Sequence, residues 1–343
     1  MGEKSKPSRK KIVLTVLIVV LALILLALIG VTVYVQWFFG AIHQDADQQE
    51  TLSPEQIQQV LEEDQDATRP SDATLVVPED VQWGQADAVE SSEHIFNILL
   101  IGQDRRPGEI RARSDTMILI TINTKDHTLS MTSFLRDLYV QIPGYSPNRL
   151  NVPYVLGGFN LLADTMEQNF GIRPDRYVEV DFDGFKTVID ALGGVDIELT
   201  GAEASYMNKQ GIGPVTVGVN HLNSEQALAY ARNRSVGGSG DFARTQRQRN
   251  VISAIFEKSR NLDLTQINDL LLSLTNVITT NLTSAEIMSY VVQFYPKLQQ
   301  LSSPESVRIP ADGTYYLGWA DGVGSIVVAD FDENRKVVAD TQK

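Results

Sequence analysis

The distribution of apolar residues divides the chain into three stretches of different character. Between Ile12 and Val35 the run IVLTVLIVVLALILLALIGVTVYV carries no charge and exceeds the roughly 20 residues a helix needs to cross a bilayer core. From Gln36 to about Glu93 the chain turns polar and acidic, with one helix signal: Ser53 as N-cap, Pro54 in the first turn, then EQIQQVLEED. Beyond Ile95, short apolar runs bounded by turn residues alternate with segments of helical period. IFNILLIG, ending at Gly102, DTMILITINT and HTLSMTSFL predict three strands, and DLYVQI a short fourth. A helix from Phe159 to Phe170 after the Gly157-Gly158 break, a strand YVEVDF, a helix DGFKTVIDAL stopped by Gly193 and Gly194, and a strand VDIELT come next. Helices from Ser224, Asp241, Leu264 and Ser284 follow, with SVRIP and GVGSIVVAD as closing strands. This mixture of hairpin and αβ order predicts an α/β fold, a mixed central sheet flanked by helices in an α/β/α sandwich.

The flanks of the long apolar run set its orientation. Lys4, Lys6, Arg9, Lys10 and Lys11 precede it, whereas Trp37 and Phe38 follow and then Asp45, Asp47 and Glu50. The positive-inside rule puts the N-terminus in the cytoplasm and the remainder outside. The run is longer than the apolar part of a cleaved leader and lacks a small-residue cleavage site, which predicts an uncleaved anchor; a buried soluble helix is the alternative. The expected organisation is a basic cytoplasmic segment 1–11, a transmembrane anchor 12–35, an acidic extracytoplasmic spacer 36–94, and one globular domain 95–343.

Charge then narrows the chemistry. A net charge of −14 argues against a general nucleic-acid or anionic-lipid surface, so any basic function is local. With no cysteine, disulfides, thiolate metal sites and cysteine nucleophiles are excluded. Yet RNRSVGGSGDFARTQRQR, from Arg232 to Arg249, sets five arginines around a glycine-rich turn. With Asp241 as N-cap, the following helix has Val251, Ile252, Ile255 and Phe256 as its apolar stripe; Arg244 and Gln248 fall inside that stripe, with Arg247 and Arg249 at its two edges. Arg232 and Arg234 end the preceding helix across the turn. An inward guanidinium needs a partner. One reading is pairing with core carboxylates such as Asp137 or Asp183; the other is a phosphate site, since forked guanidinium groups match phosphate oxygens and a helix start adds positive potential.

A second constellation lies in LLIGQDRRPGEIRARSDTMILI. Asp104 follows one strand and Asp115 opens the next, flanked by Arg106 and Arg113. Salt bridges are the simpler meaning, but two aspartates with phosphate oxygens are also a common way to hold Mg2+, or Mn2+ in its place. Acidic pair and basic knot together predict a metal pyrophosphate ligand, with Arg136 of SFLRDLYV as a further clamp.

These residues carry a resemblance. GQDRR, RSDTM, FLRD, RLNVPYVLGG, DALGGVDIEL and ALAYARNR followed by DFARTQRQ, in this order behind one anchor, resemble the LytR-CpsA-Psr proteins, membrane-anchored bacterial ligases of cell-wall glycopolymers. The resemblance implies a phosphotransferase that takes a glycopolymer such as teichoic acid or capsule from a polyprenyl-pyrophosphate carrier and attaches it to a peptidoglycan hydroxyl, usually the 6-hydroxyl of N-acetylmuramic acid, at the outer face of the cytoplasmic membrane. It implies that Asp104 and Asp115 bind magnesium. Arg136, Arg232, Arg234, Arg244 and Gln248 would touch the pyrophosphate, with Arg113 and Arg149 as supports and Arg106 and Arg247 in the same substrate-binding set. Asp241 and Asp104 are the candidates for a base toward the sugar hydroxyl. The lipid tail would enter an apolar tunnel near Phe159, Leu162, Phe182, Phe185 and Val188. Leu135 replaces a usual proline, and Val152-Pro153 a usual Ala-Ala, departures that touch local shape and not charge. A lipid-pyrophosphate hydrolase and a non-catalytic lipid-binding module or attenuator retain the same arginines and stand as alternatives. Nucleic acid is not an expected partner, since the segment before Ile12 is too short for a DNA-binding domain.

Overall fold

The computed structural model describes residues 43–44, 52–62, 69–84, 92, 94–103, 111–237, 240–274, 277–297 and 299–343. The expected anchor and two of the predicted site residues, Asp104 and Arg106, lie outside them. No helix among the described residues is long and apolar enough to cross a membrane.

In chain order the elements are β1 (His43–Gln44), α1 (Pro54–Glu62), β2 (Ile95–Gln103), β3 (Ser114–Asn123), β4 (Thr128–Phe134), β5 (Tyr139–Val140), β6 (Asn148–Arg149) and α2 (Val152–Phe170). There follow β7 (Arg176–Val180), α3 (Phe182–Ala191), β8 (Val195–Leu199), α4 (Gly201–Lys209), β9 (Gly218–Leu222), α5 (Ser224–Arg232) and α6 (Asp241–Ser259). The chain closes with α7 (Leu264–Leu274), β10 (Ile278–Thr280), α8 (Ser284–Phe294), β11 (Glu305–Ile309), β12 (Tyr315–Ala320), β13 (Gly324–Ala329) and α9 (Phe331–Asp340). The central sheet runs β1-β10-β7-β2-β3-β4-β11. It is mixed, as expected: β2 is antiparallel to β3 and parallel to β7, and β4 is antiparallel to β3 and parallel to β11.

The two faces of this sheet differ in dryness. Alternation along the strands sends Leu99, Ile101, Met117, Leu119, Phe134 and Tyr177 to one face, where they are buried against Leu162, Met166 and Phe170 of α2 and Phe331 of α9. A closed polar ring pins the C-terminus there: Thr121 Oγ1 donates to Asn97 Oδ1 at 2.7 Å, Asn97 Nδ2 to Gln342 Oε1 at 2.8 Å, and Gln342 Nε2 to Thr121 Oγ1 at 3.0 Å. The opposite face carries Ile98, Leu100, Ile120, Ile122, Val178 and Val180, which are half-buried, beside Ile118 and Met131, which have no exposed surface. Part of it is roofed by α8, whose Tyr290 and Phe294 meet Phe96 edge-on.

Several expectations are corrected. VDIELT forms β8 but pairs antiparallel with β9 outside the central sheet. That hairpin, with α4, α5 and the far side of α6, builds a second small core around Ile197, Met207, Leu222, Tyr230 and Val251. Only Tyr139 and Val140 of DLYVQI are extended, paired with β6. Phe159 and Leu162, two of the residues expected near a lipid tail, belong to the dry core, Phe159 stacking on Tyr177 at 4.7 Å. Phe182, Phe185 and Val188 are half-buried on α3, which packs against α7. Helix α2 starts earlier than predicted, at Val152 with Pro153 in its first turn, and kinks where Gly158 adopts φ 64. The later part of the acidic spacer is no free linker: Val76 N donates to Trp319 O and Trp319 N to Thr74 O, both at 2.8 Å, and Trp83 packs between Tyr139 and Phe331.

Leu162 has no exposed surface, so Leu162→Ala should cost about 2–5 kcal/mol. Urea unfolding of wild type and variant measures it; a loss below about 1 kcal/mol would mean that α2 does not pack as described.

Candidate functional site

The mouth of the site lies where β3 begins and β4 ends. Ser114, 0% exposed, buries the first position of β3 and leaves Asp115 half-exposed beside it. On the adjacent strand, Met117 pairs with Phe134, so Arg136, two residues past β4, crosses back to Asp115: its Nη1 donates to Oδ1 at 2.6 Å. Asp137 lies 3.6 Å from the same guanidinium and 3.8 Å from Arg149. Arg149, presented by β6, also donates to the carbonyl of Val323.

The other wall is the start of α6. Here Gly240, at φ 51, is the N-cap, and Asp241 is the first helical residue. The expected capping role of Asp241 is therefore not what its side chain does. Its carboxylate turns into the arginines, 2.7 Å from Arg244, 3.7 Å from Arg234 and 3.8 Å from Arg136. These are ion pairs without hydrogen-bond alignment, because both carboxylate oxygens are buried and lack a bonded donor. Burial is the larger influence and pushes Asp241 up to about 6; Arg136 and Arg234 oppose it, while Asp137 and Asp115 add to it. Arg244, 3% exposed, also donates to the Asp115 carbonyl at 3.2 Å. One turn on, Gln248 Nε2 donates to Thr116 Oγ1 at 2.8 Å. Burial disfavours the charge of Arg136, but Asp137, Asp115 and Asp241 outweigh it and raise its pKa.

Predicted residues thus separate into groups. The structure brings Asp115, Arg136, Arg149, Arg234, Asp241, Arg244 and Gln248 together. Arg232 has its guanidinium 4.2 Å over the Phe182 ring. Arg113 donates to the Val60 carbonyl at 2.9 Å, tying α1 to the rim. Arg247 corrects the substrate-binding expectation. It is 4% exposed, with Nε on Glu203 at 2.7 Å, Nη1 on the Asn233 carbonyl at 3.0 Å and Nη2 on the Val236 carbonyl at 2.7 Å. Glu203 is itself held in a capping box with Thr200. Burial works against its charge, but hydrogen bonds from Thr200 and Arg247 prevail and keep Glu203 below the ordinary carboxylate value. Arg247 therefore serves as the bolt around which the glycine turn closes. The alternative of pairing with Asp183 fails, since Asp183 is 87% exposed and pairs with Lys186. Asp137 does share two arginines, at long distances.

Two members of the site, Asp137 and Thr116, had no assigned functional part in the sequence reading, although both stand inside quoted motifs. What marks the mouth as a binding site is its unmet polarity: Nε of Arg136, Nε of Arg244, Oε1 of Gln248 and both oxygens of Asp241 are buried without hydrogen-bond partners. Such groups persist where a ligand completes them.

Comparisons with known proteins place the chain among relatives of one family. The model of the LytR_cpsA_psr family matches residues 55–326. A polyisoprenyl-teichoic acid–peptidoglycan teichoic acid transferase, TagU, of Bacillus mycoides is 33% identical over 253 residues, covering 72% of this chain and 78% of that protein. The solved structure of B. subtilis TagT superposes with a TM-score of 0.59 at 28% identity, over 77% of this chain and 96% of that one. TagT with bound octaprenyl pyrophosphate lipid gives 0.57 at 27% identity, over 76% and 96%.

The structural part of Arg247 is testable. Arg247→Ala strands Glu203 in the interior and should cost about 3–5 kcal/mol, whereas Arg244→Ala should leave the unfolding midpoint within about 1 kcal/mol of wild type, since it also relieves a desolvated charge. Equal losses in chemical unfolding would contradict the division.

Proposed function

Because the chain belongs to the LytR_cpsA_psr family, we propose that it is a membrane-anchored phosphotransferase, moving a glycopolymer from a polyprenyl-pyrophosphate carrier to a hydroxyl of peptidoglycan. The observation that carries this reading is the set of buried donors without hydrogen-bond partners on Arg136 and Arg244, whose guanidinium groups meet Asp115 and Asp241 at the mouth of the sheet. The carrier, acceptor and polymer class are supported by the transferase relatives and by the lipid seen in the TagT structure.

The residues suit the reaction. In phosphoryl transfer the protein mainly positions and neutralises charge. Arg136, Arg234 and Arg244 would take the diphosphate oxygens, strengthening as negative charge builds on the leaving polyprenyl phosphate. The sugar hydroxyl oxygen forms the new bond to phosphorus as the bond to the carrier phosphate breaks. Its proton passes to Asp241, whose carboxylate is the buried base at this mouth, held near neutrality. Asp115 is 36% exposed at its side chain, and its carboxylate is an oxygen donor that suits a hard cation. No group of three or more acidic or imidazole ligands exists among the described residues, so Mg2+ or Mn2+ held by Asp115, with Asp104 as expected partner, would depend on phosphate oxygens and water. When bound, that ion would add neutralising charge beside the diphosphate. The half-buried aliphatic face of the sheet, Ile98, Leu100, Ile120 and Val178, would line the path of the prenyl tail. The short β1 pairs with β10 at the sheet edge, and an extended chain from Val35 to His43 reaches at most roughly 28 Å. That short tether supports a domain held close to the bilayer.

Arg136→Ala and Arg244→Ala should each lower kcat/KM for transfer from a polyprenyl-pyrophosphate glycan by about 100-fold or more; unchanged transfer in both would overturn the site. Transfer should fall as pH drops below about 6, where Asp241 takes up its proton. The folded-state pKa is above the unfolded value of 3.8, so the folded state holds the extra proton between the two and stability should decline as pH rises through that window. Asp241→Asn should abolish both the acidic limb of the rate profile and that stability slope. An unchanged acidic limb on the residual rate would assign the base elsewhere.

A further inference from the structure

One buried cation is left over by the site described. Arg249 is 5% exposed. Its Nη2 donates to Gln246, but Nε and Nη1 are buried without partners. Burial first, and the charge of Arg308 second, lower its pKa to about 10, and no carboxylate of the described residues is among the influences on it. It therefore stays charged at neutral pH with no counterion among the described residues, one of the costlier arrangements an interior can hold.

The surroundings are built around the same charge. Arg308, on β11, is directly opposite Ser133 of β4, so the two side chains share one face of the sheet. Ser133 Oγ is buried and also lacks a partner. Arg249 follows Phe242 by seven residues and so lies on the same face of α6, and long helical side chains lean toward the N-terminus, which brings Arg249 back toward Phe242. The Arg308 guanidinium sits 4.5 Å over the Phe242 ring, and that ring stacks on Tyr315 at 4.9 Å. Arg308 keeps one carbonyl, Pro310, at 3.0 Å and one carboxylate, Asp312, whose side chain is 92% exposed. A solvent-exposed carboxylate is a readily displaced partner. Asp241, the proposed base, is the residue immediately before Phe242.

We propose that Arg308, backed by the uncompensated charge of Arg249, forms a second oxyanion subsite beside the base, in which a substrate anion displaces Asp312. This rests on the transferase reading for its location next to the reacting hydroxyl. A guanidinium fork accepts a phosphodiester of the transferred polymer and a carboxylate of the peptidoglycan stem peptide alike.

The test uses the full chain in detergent, as wild type, Arg249→Met, Arg308→Gln and Arg136→Ala. Calorimetry measures binding of three probes: poly(glycerol phosphate), muramyl dipeptide, and N-acetylglucosamine as neutral control. One charged probe should bind wild type and lose at least tenfold in affinity in both Arg249→Met and Arg308→Gln, while Arg136→Ala retains it; which probe does so identifies the source of the anion. Arg249→Met removes an unpaired charge at nearly constant volume, so its melting temperature should not fall. Equal affinity of wild type, Arg249→Met and Arg308→Gln for both charged probes, or no binding of either to wild type, overturns the subsite. Transfer assayed on the same preparations separates the two readings: probe binding without transfer sinks the phosphotransferase and leaves the subsite, whereas transfer with unaltered probe affinity in the variants does the reverse.

Discussion

The structure turns on the cost of holding several guanidinium groups away from water at one end of a sheet. Arg136, Arg149, Arg234 and Arg244 converge on Asp115, Asp137 and Asp241, and burial lifts Asp241 to about 6, weakening the anionic side of that balance. A protein can sustain such a mouth only if its backbone is fixed elsewhere. That fixing is done by Arg247 and Glu203, a well-aligned buried pair that also satisfies two carbonyls of the turn. The two neighbouring arginines of DFARTQRQ thus have opposite parts: Arg247 spends Nε, Nη1 and Nη2 on the fold, and Arg244 leaves its Nε without a hydrogen-bond partner.

The same logic separates the two faces of the sheet. Against α2 and α9 the strands bury a dry core, with Asn97, Thr121 and Gln342 satisfying one another. Toward α6 and α8, Ile98, Leu100, Ile120 and Val178 keep partial exposure while Ile118 and Met131 beside them are fully buried. A sheet with one sealed face and one face that is partly open agrees with the proposed substrate, which has a long hydrocarbon tail and a doubly charged head. At the mouth, Thr116 and Gln248 join sheet to helix.

Much of this was legible in the sequence because local rules decided it. Short apolar runs bounded by turn residues gave β2, β3, β4 and β7, and the 3.6-residue stripe of α6 placed Arg244 and Gln248 inward. What was hidden depended on partners distant in sequence. VDIELT has the alternation of any half-buried strand, and nothing local says that its partner is GVNHL and not the central sheet. Arg247 and Arg244 sit on neighbouring positions of one stripe, and only Glu203, 44 residues earlier, tells them apart. The shift of Asp241 from cap to cluster follows from Gly240, whose left-handed φ of 51 takes over the capping position. Phe159 and Phe182 looked alike in the sequence, and only contact with Tyr177, distant along the chain, puts Phe159 in the dry core.

The most direct measurement of the central claim is the melting temperature of the full chain in detergent, with and without a polyprenyl pyrophosphate and Mg2+, for wild type and Arg244→Ala. A ligand that binds only the folded state raises its apparent stability, by about 2.7 kcal/mol at a hundredfold excess over Kd. The account predicts a rise in wild type that is lost in Arg244→Ala. A rise of equal size in both proteins, or none in a folded wild type, would contradict it.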